Sequence, residues 1–226
     1  MAEYTLKWDQ TGDRLYETGV KMGVLYVVDD SGKYGTGVAW NGLTGITESP
    51  SGAEATPMYA DDIKYLNLYS AEELGLTIEA YTYPDEFMAC DGSVALVEGM
   101  YLGQQSRKTF GLCYRTTVGN DIDENDHGYK LHLIYGCKAS PSERAYATIN
   151  DSPEAITFSW EVTTTPVEVN IDGTAYKPTS CITIDSTKVD AGKLAALEGM
   201  LYGNGTDGTP KLPTPSEVYT ALKGTT

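Results

Sequence analysis

The chain has 226 residues, 41% of them hydrophobic, which is enough to bury a sizeable core and excludes bulk disorder. Its net charge of −16 excludes a protein that grips nucleic acid by neutralising phosphates. The four cysteines, Cys90, Cys113, Cys137 and Cys181, show neither a CxxC spacing nor a dense secreted framework, so reduced thiols are expected.

The first forty residues hold one apolar run, 24–28, followed by a turn at 29–32. Residues 41–62 are turn-rich and polar and read as a long projecting loop. Ser70 and Glu73 have capping-box spacing and Gly75 follows, which predicts a short helix over 70–75. Residues 77–83 alternate as a strand does, and Pro84 with Asp85 and Glu86 then opens a second short helix. Residues 94–102 fit strand and helix equally.

Residues 107–118 and 129–138 read as paired strands around a loop at 119–128. In the strand 156–163, Ile156, Phe158, Trp160 and Val162 alternate with Thr157, Ser159, Glu161 and Thr163, the pattern of one buried and one solvated face. Strands 167–171 and 181–184 follow, joined through Asp172-Gly173. Residues 190–202 form the clearest helix, with Asp190 as its cap, Leu194, Leu197 and Leu201 on one face and Gly203 as its stop. Thr214-Pro215-Ser216-Glu217 starts a last short helix. ALVEGMYLG at 95–103 echoes AALEGMLYG at 195–203, but the likeness ends there and no repeat architecture follows.

Charge is concentrated. From 48 to 98 there are eleven acids (Glu48, Glu54, Asp61, Asp62, Glu72, Glu73, Glu79, Asp85, Glu86, Asp91 and Glu98) against one base, Lys64. Tyrosine is abundant, 17 residues against 3 phenylalanines, which suits half-buried strands and wet subunit interfaces. Chemistry is missing: HExxH, GxSxG, GxxxxGK and GxGxxG do not occur, so no catalytic residue, metal ligand or cofactor is assigned and the chain reads as a non-enzyme. His127 and His132 are five apart, a separation that puts them on opposite faces of a strand. The acids Asp121, Asp123, Glu124 and Asp126 imitate the opening of a calcium loop but lack its glycine and its closing Glu, and read as a solvated hairpin tip. Arg107, Lys108 and Arg115 are the one basic cluster, suited to pairing with a neighbouring acidic surface. The start lacks a basic and apolar leader and no run reaches membrane-spanning length, so synthesis in cytoplasm and no membrane span are expected.

A collinear series of segments resembles the major tail tube proteins of long, non-contractile-tailed bacteriophages (siphophages), in particular those of Gram-positive hosts. The segments are WNGLTGITESPSGAEATPMYADDIKY at 40–65, YTYPDEFMACDG at 81–92, FGLCYRTTVGND at 110–121, YGCKASPSERAYATINDSPEAITFSWEVTTTPV at 135–167, and LYG with LPTPSEV at 201–218. The resemblance implies a mainly β fold, a single sandwich or barrel domain over 1–226 with flanking short helices and a C-terminal helical arm at 190–222. It implies a structural virion protein, assembled in the host bacterial cytoplasm, whose hexameric rings stack into the tube that carries the genome. Partners would be copies of itself and the tape measure, tail terminator and distal tail proteins, with DNA passing unbound.

By the same resemblance, the projecting loop at 44–64 reaches a neighbouring subunit, with Thr44, Glu48, Ser51, Glu54, Met58, Tyr59, Asp61 and Asp62 as contact candidates. The terminal arms, 2–20 and 190–222, are the other contacts. The hairpin 107–138 would line the tube, with Asp121, Asp123, Glu124 and Asp126 as candidate lumen or hairpin-tip acids. A carboxylate-rich wall would deny phosphate a partner, which agrees with the charge. Two other readings stay open: a surface β-sandwich binding carbohydrate or a receptor, for which Tyr59, Tyr65 and Tyr69 are candidates, and the tube of a phage-derived bacteriocin particle.

Overall fold

The computed structural model describes residues 5–149, 151, 154–205 and 208–224. The architecture is mainly β, with two α-helices, as the sequence implies. In chain order the strands are β1 (Tyr16–Val27), β2 (Val38–Trp40), β3 (Leu43–Gly52), β4 (Ala55–Ala60), β5 (Ile63–Tyr69) and β6 (Glu72–Ala80). A 3-10 helix, Asp85–Ala89, precedes β7 (Val94–Val97), β8 (Met100–Leu102), β9 (Phe110–Asn120) and β10 (Glu124–Ala139). Then come β11 (Phe158–Thr164), β12 (Val167–Ile171), β13 (Thr174–Thr179), β14 (Cys181–Asp185), α1 (Ala191–Tyr202) and α2 (Pro215–Lys223).

One sheet runs β2-β1-β9-β10-β11-β6-β3, with β14 on the middle of β10 and β11 on its C-terminal end. The sheet curls until β3 touches β1, so closely that Leu43 fills the space a Cβ on Gly23 would need. Inside this open barrel lies one core, built around Leu25, Trp40, Ile78, Phe110, Leu112, Ile134 and Trp160. The 3-10 helix closes an end: Phe87, fully buried, packs on Trp40, Trp160 and Phe110.

A second core forms on the outer side of β1, β9 and β10, where Val24, Cys113, Leu131, Leu133 and Tyr135 meet Leu194, Leu197 and Leu201 of α1 and Val218 of α2. Alternation along one strand therefore feeds two cores, Leu112 inward and Cys113 outward. Three two-stranded sheets, β4–β5, β7–β8 and β12–β13, stand outside the main sheet.

The expected elements hold in part. The hairpin β9–β10 forms in the predicted register region, with a tip shorter than expected. Trp160 and Val162 are buried and Phe158 half-buried as predicted, but Ile156 precedes the strand and is exposed. Asp190 caps α1 through the amides of Gly192 and Lys193, and Thr214 with Glu217 completes a capping box on α2. The segment at 84–87 is helical, of 3-10 type.

Other expectations fail for identifiable reasons. The helix at 70–75 is the start of β6: six residues cannot nucleate a helix against pairing on both edges, to β3 and to β11. Gly75 is not a helix stop but a close approach, where a Cβ would sit 3.2 Å from the Ser49 carbonyl. The loop at 44–64 is not a loop. Its first part is β3, an edge strand that tolerates the missing amide of Pro50, and its remainder is the β4–β5 turn region. Residues 94–102 form a hairpin. Asp172 and Gly173, both at positive φ, make a two-residue hairpin turn where expected, but it leads to β13, a strand that was not expected, while β14 pairs with β10 instead. The segment 190–222 folds back onto its own sheet and does not extend as an arm. The N-terminal arm falls partly on residues 1–4, outside the described residues.

Candidate assembly surfaces

Two hairpins expose what a folded domain ordinarily hides. The β4–β5 hairpin reverses at Asp61 and Asp62, whose positive φ values of 50° and 61° give the primed turn that matches strand twist. Its strands present Met58, Tyr59, Ile63, Tyr65, Leu66, Leu68 and Tyr69 to solvent; Tyr65 is 71% exposed and Ile63 66%. Every residue of β4 is exposed and all but Asn67 of β5 are too, so neither face rests on the barrel. The smaller β7–β8 hairpin repeats the pattern, with Val94, Leu96, Val97, Met100, Tyr101 and Leu102 all exposed. A lone two-stranded hairpin is marginal in water, and contiguous exposed apolar surface marks an interaction site.

The contact candidates therefore separate. Thr44, Glu48 and Ser51 belong to β3, within the domain's own sheet. Glu54 links β3 to β4, Met58 and Tyr59 lie on β4, and Asp61 and Asp62 form the turn, all on the projecting arm.

Glu48 has work inside the barrel. It accepts a hydrogen bond from the Tyr114 hydroxyl at 2.5 Å, and Tyr114 stacks on His132 with ring centroids 4.6 Å apart. His132 reaches Thr116 Oγ1 at 3.0 Å, with Glu17 Oε1 3.6 Å from Nε2 and Glu48 Oε1 3.7 Å from Nδ1. Lys130 donates to Glu17 at 2.6 Å. Burial pushes the His132 pKa below its ordinary value, with the two carboxylates opposing it. Burial and the Glu48 carboxylate push the Tyr114 phenol up. Burial would raise Glu17, but hydrogen bonds from Lys130 and Thr116 leave it below the usual carboxylate value. This network joins β1, β3, β9 and β10 across the barrel seam, where β1 and β3 share no backbone pairing. It is structural glue, and the spacing of its residues in sequence gave no signal of it.

The β9–β10 strands are covered on both sides by the two cores, so most of the hairpin has no face to offer a lumen. Its tip is exposed. There Asp121 accepts from the Gly12 amide at 2.9 Å and lies 3.7 Å from Arg14, while Asp123 lies 3.2 Å from His127. Among the described residues, Glu124 and Asp126 have no side-chain partner and are exposed. His127 and His132 sit in separate networks, as their spacing suggested.

Two of the three members of the basic cluster are paired within the chain, while the buried Nε of Arg107 has no hydrogen-bond partner among the described residues. Lys108 pairs with Asp30 at 3.0 Å, and Arg115 pairs with Glu198 of α1 while lying 3.9 Å over the Tyr129 ring. All four cysteines are free; Cys90 and Cys113 are buried, and burial pushes each thiol up to about 12. Among the described residues, no group of three or more His, Cys, Asp or Glu could hold a metal ion, and no helix is long and apolar enough to cross a membrane.

No protein-family model and no curated protein matches the chain. Among solved structures it is similar to the sheath/tube terminator of an extracellular contractile injection system, PVC, in its extended state, at 9% identity and TM-score 0.33 over 80% of this chain and 99% of that one. It is similar to the sheath-tube complex of the same system, at 10% identity and TM-score 0.30 over 80% and 94%. A chain of the anti-feeding prophage baseplate is similar at 9% identity and TM-score 0.32, over 81% and 100%. At these identities and scores the likeness carries no argument about this chain.

Proposed function

We propose that this chain is a structural subunit of a phage-type tail tube that assembles with copies of itself into stacked rings, the conduit for a genome that passes unbound. The observation that carries the reading is the β4–β5 arm, apolar and exposed on both faces in a chain that otherwise packs two complete cores. Such an arm acquires a stable environment only from another molecule. The collinear sequence resemblance to siphophage tail tube proteins supplies the kind of assembly, and with it hexameric rings and a virion location. The tube of a bacteriocin particle would use the same surfaces.

The net charge of −16 opposes contact between copies, so association should strengthen with salt as well as with concentration. Sedimentation velocity across both variables tests this. Growth into rings or larger particles is the expected result, and a monomer throughout would contradict the proposal. A second reading is favoured by one observation: Tyr59, Tyr65 and Tyr69, all exposed on the arm, could stack on sugar rings. A monomer that binds glycans through these residues would establish it in place of the first.

A further inference from the structure

We propose that the β7–β8 hairpin is the surface on one copy that receives the β4–β5 arm of the next. The proposal rests on the self-assembly reading and adds the identity of the receiving surface.

The first observation is matching character. The hairpin shows Val94, Leu96, Val97, Met100, Tyr101 and Leu102 to solvent, and each of its strands is exposed throughout. Both hairpins also leave unpaired outer edges, so strand addition can join them through the backbone while the apolar side chains close over the joint.

The second is charge. Copies carrying −16 each repel, and they meet at least cost where charge is sparse. Residues 94–102 contain one ionisable acid, Glu98, and no base. The arm carries Lys64, the lone cation between Glu48 and Glu98. Arm against arm sets Asp61 and Asp62 against their own copies, and hairpin against hairpin does the same with Glu98. Arm against hairpin lets Lys64 meet Glu98, the hairpin's one acid.

The third is placement. The arm leads into β6 at Glu72, while the hairpin leaves through the 3-10 helix that follows the other end of β6 at Ala80. Nine extended residues separate the ends, about 30 Å at ~3.3 Å per residue. A donor at one end and a receiver at the other make a head-to-tail contact, which either closes into a ring or continues as a stack.

Two variants test the assignment: Ile63→Glu with Tyr65→Glu on the arm, and Leu96→Glu with Tyr101→Glu on the hairpin. All four side chains stand outside both cores, so the fold should survive; far-UV spectra check it, and the Ser versions at the same positions replace any variant that unfolds. Each variant alone should be monomeric by sedimentation, with self-association weakened at least ~30-fold, the scale of a lost hot spot. Mixed in equal amounts they should form a 1:1 dimer and nothing larger, because one intact arm meets one intact hairpin. A hairpin variant that assembles as the wild type does would overturn the assignment. So would an arm variant that dimerises alone, or a mixture that stays monomeric. A wild-type chain that never assembles would instead overturn the self-assembly reading itself.

Discussion

Trp160 shows how much one side chain holds. It is 1% exposed and contacts Trp40, Tyr83, Phe87 and Phe158, tying β2 and β11 to the 3-10 helix. Trp160→Ala should cost about 3–5 kcal/mol in denaturant unfolding, since the cavity has rigid walls on several sides. His132 gives a pH signature. Its folded-state pKa lies below the ordinary value near 6.5, so the unfolded chain takes up the proton first as pH falls. Stability from this group is therefore present above about pH 6.5 and declines as pH drops below it. Unfolding measured from pH 8 to pH 5 should show that loss in the wild type and a weaker one in His132→Gln; equal slopes would mean the imidazole is solvated. At this scale the Trp160 face was readable, because period-two alternation is local. The Glu17–His132–Glu48 network was not, because it joins residues from strands far apart in sequence.

Two near-identical segments show what sets an element. AALEGMLYG becomes the last turns of α1, while ALVEGMYLG becomes β7, a turn and β8. The first follows an Asp190 cap and lays Leu194, Leu197 and Leu201 on a core. The second has Cys90 at the position of that cap, has the β-branched Val97 where the first has Leu197, and turns at Gly99 with φ +83°. Alanine should then act oppositely at equivalent glycines. Gly199→Ala meets only Asn204 Cβ, at 3.9 Å, and should stabilise by about 0.5–1 kcal/mol, whereas Gly99→Ala should destabilise by a similar amount in thermal unfolding. Effects of one sign at both sites would contradict the element assignments. Capped and turn-bounded elements were legible in sequence for the same reason: Asp190, Thr214 with Glu217, and Asp172-Gly173 each act within a few residues. The β3–β4–β5 region was not, because its Gly, Pro and Ser residues mimic a loop, and the pairing with β6 that overrides them is long-range. Removing 49–56 would accordingly take away the last four residues of β3 and their pairing with β6, which is why point changes on the arm are the cleaner probe.

At the scale of the whole molecule, helices cover one side, two apolar hairpins project, and acids are left at the β9–β10 tip. Asp121 and Asp123 are engaged within the chain, so Glu124 and Asp126 are the tip acids free to face a passing polyanion. Glu124→Lys with Asp126→Lys shifts each subunit by +4, two charges reversed, and should leave the fold intact. Assembled variants should retain double-stranded DNA at low salt and release it as salt rises. Assemblies indifferent to DNA at every ionic strength would place these acids away from the lumen. The tube reading rests on the resemblance in sequence, since the chain contains none of the motifs HExxH, GxSxG, GxxxxGK and GxGxxG. Electron microscopy of the purified protein, concentrated in screening salt, tests that central claim most directly. Hollow tubes or stacked rings of uniform width are the result predicted here; dispersed monomers at every concentration and ionic strength would contradict it.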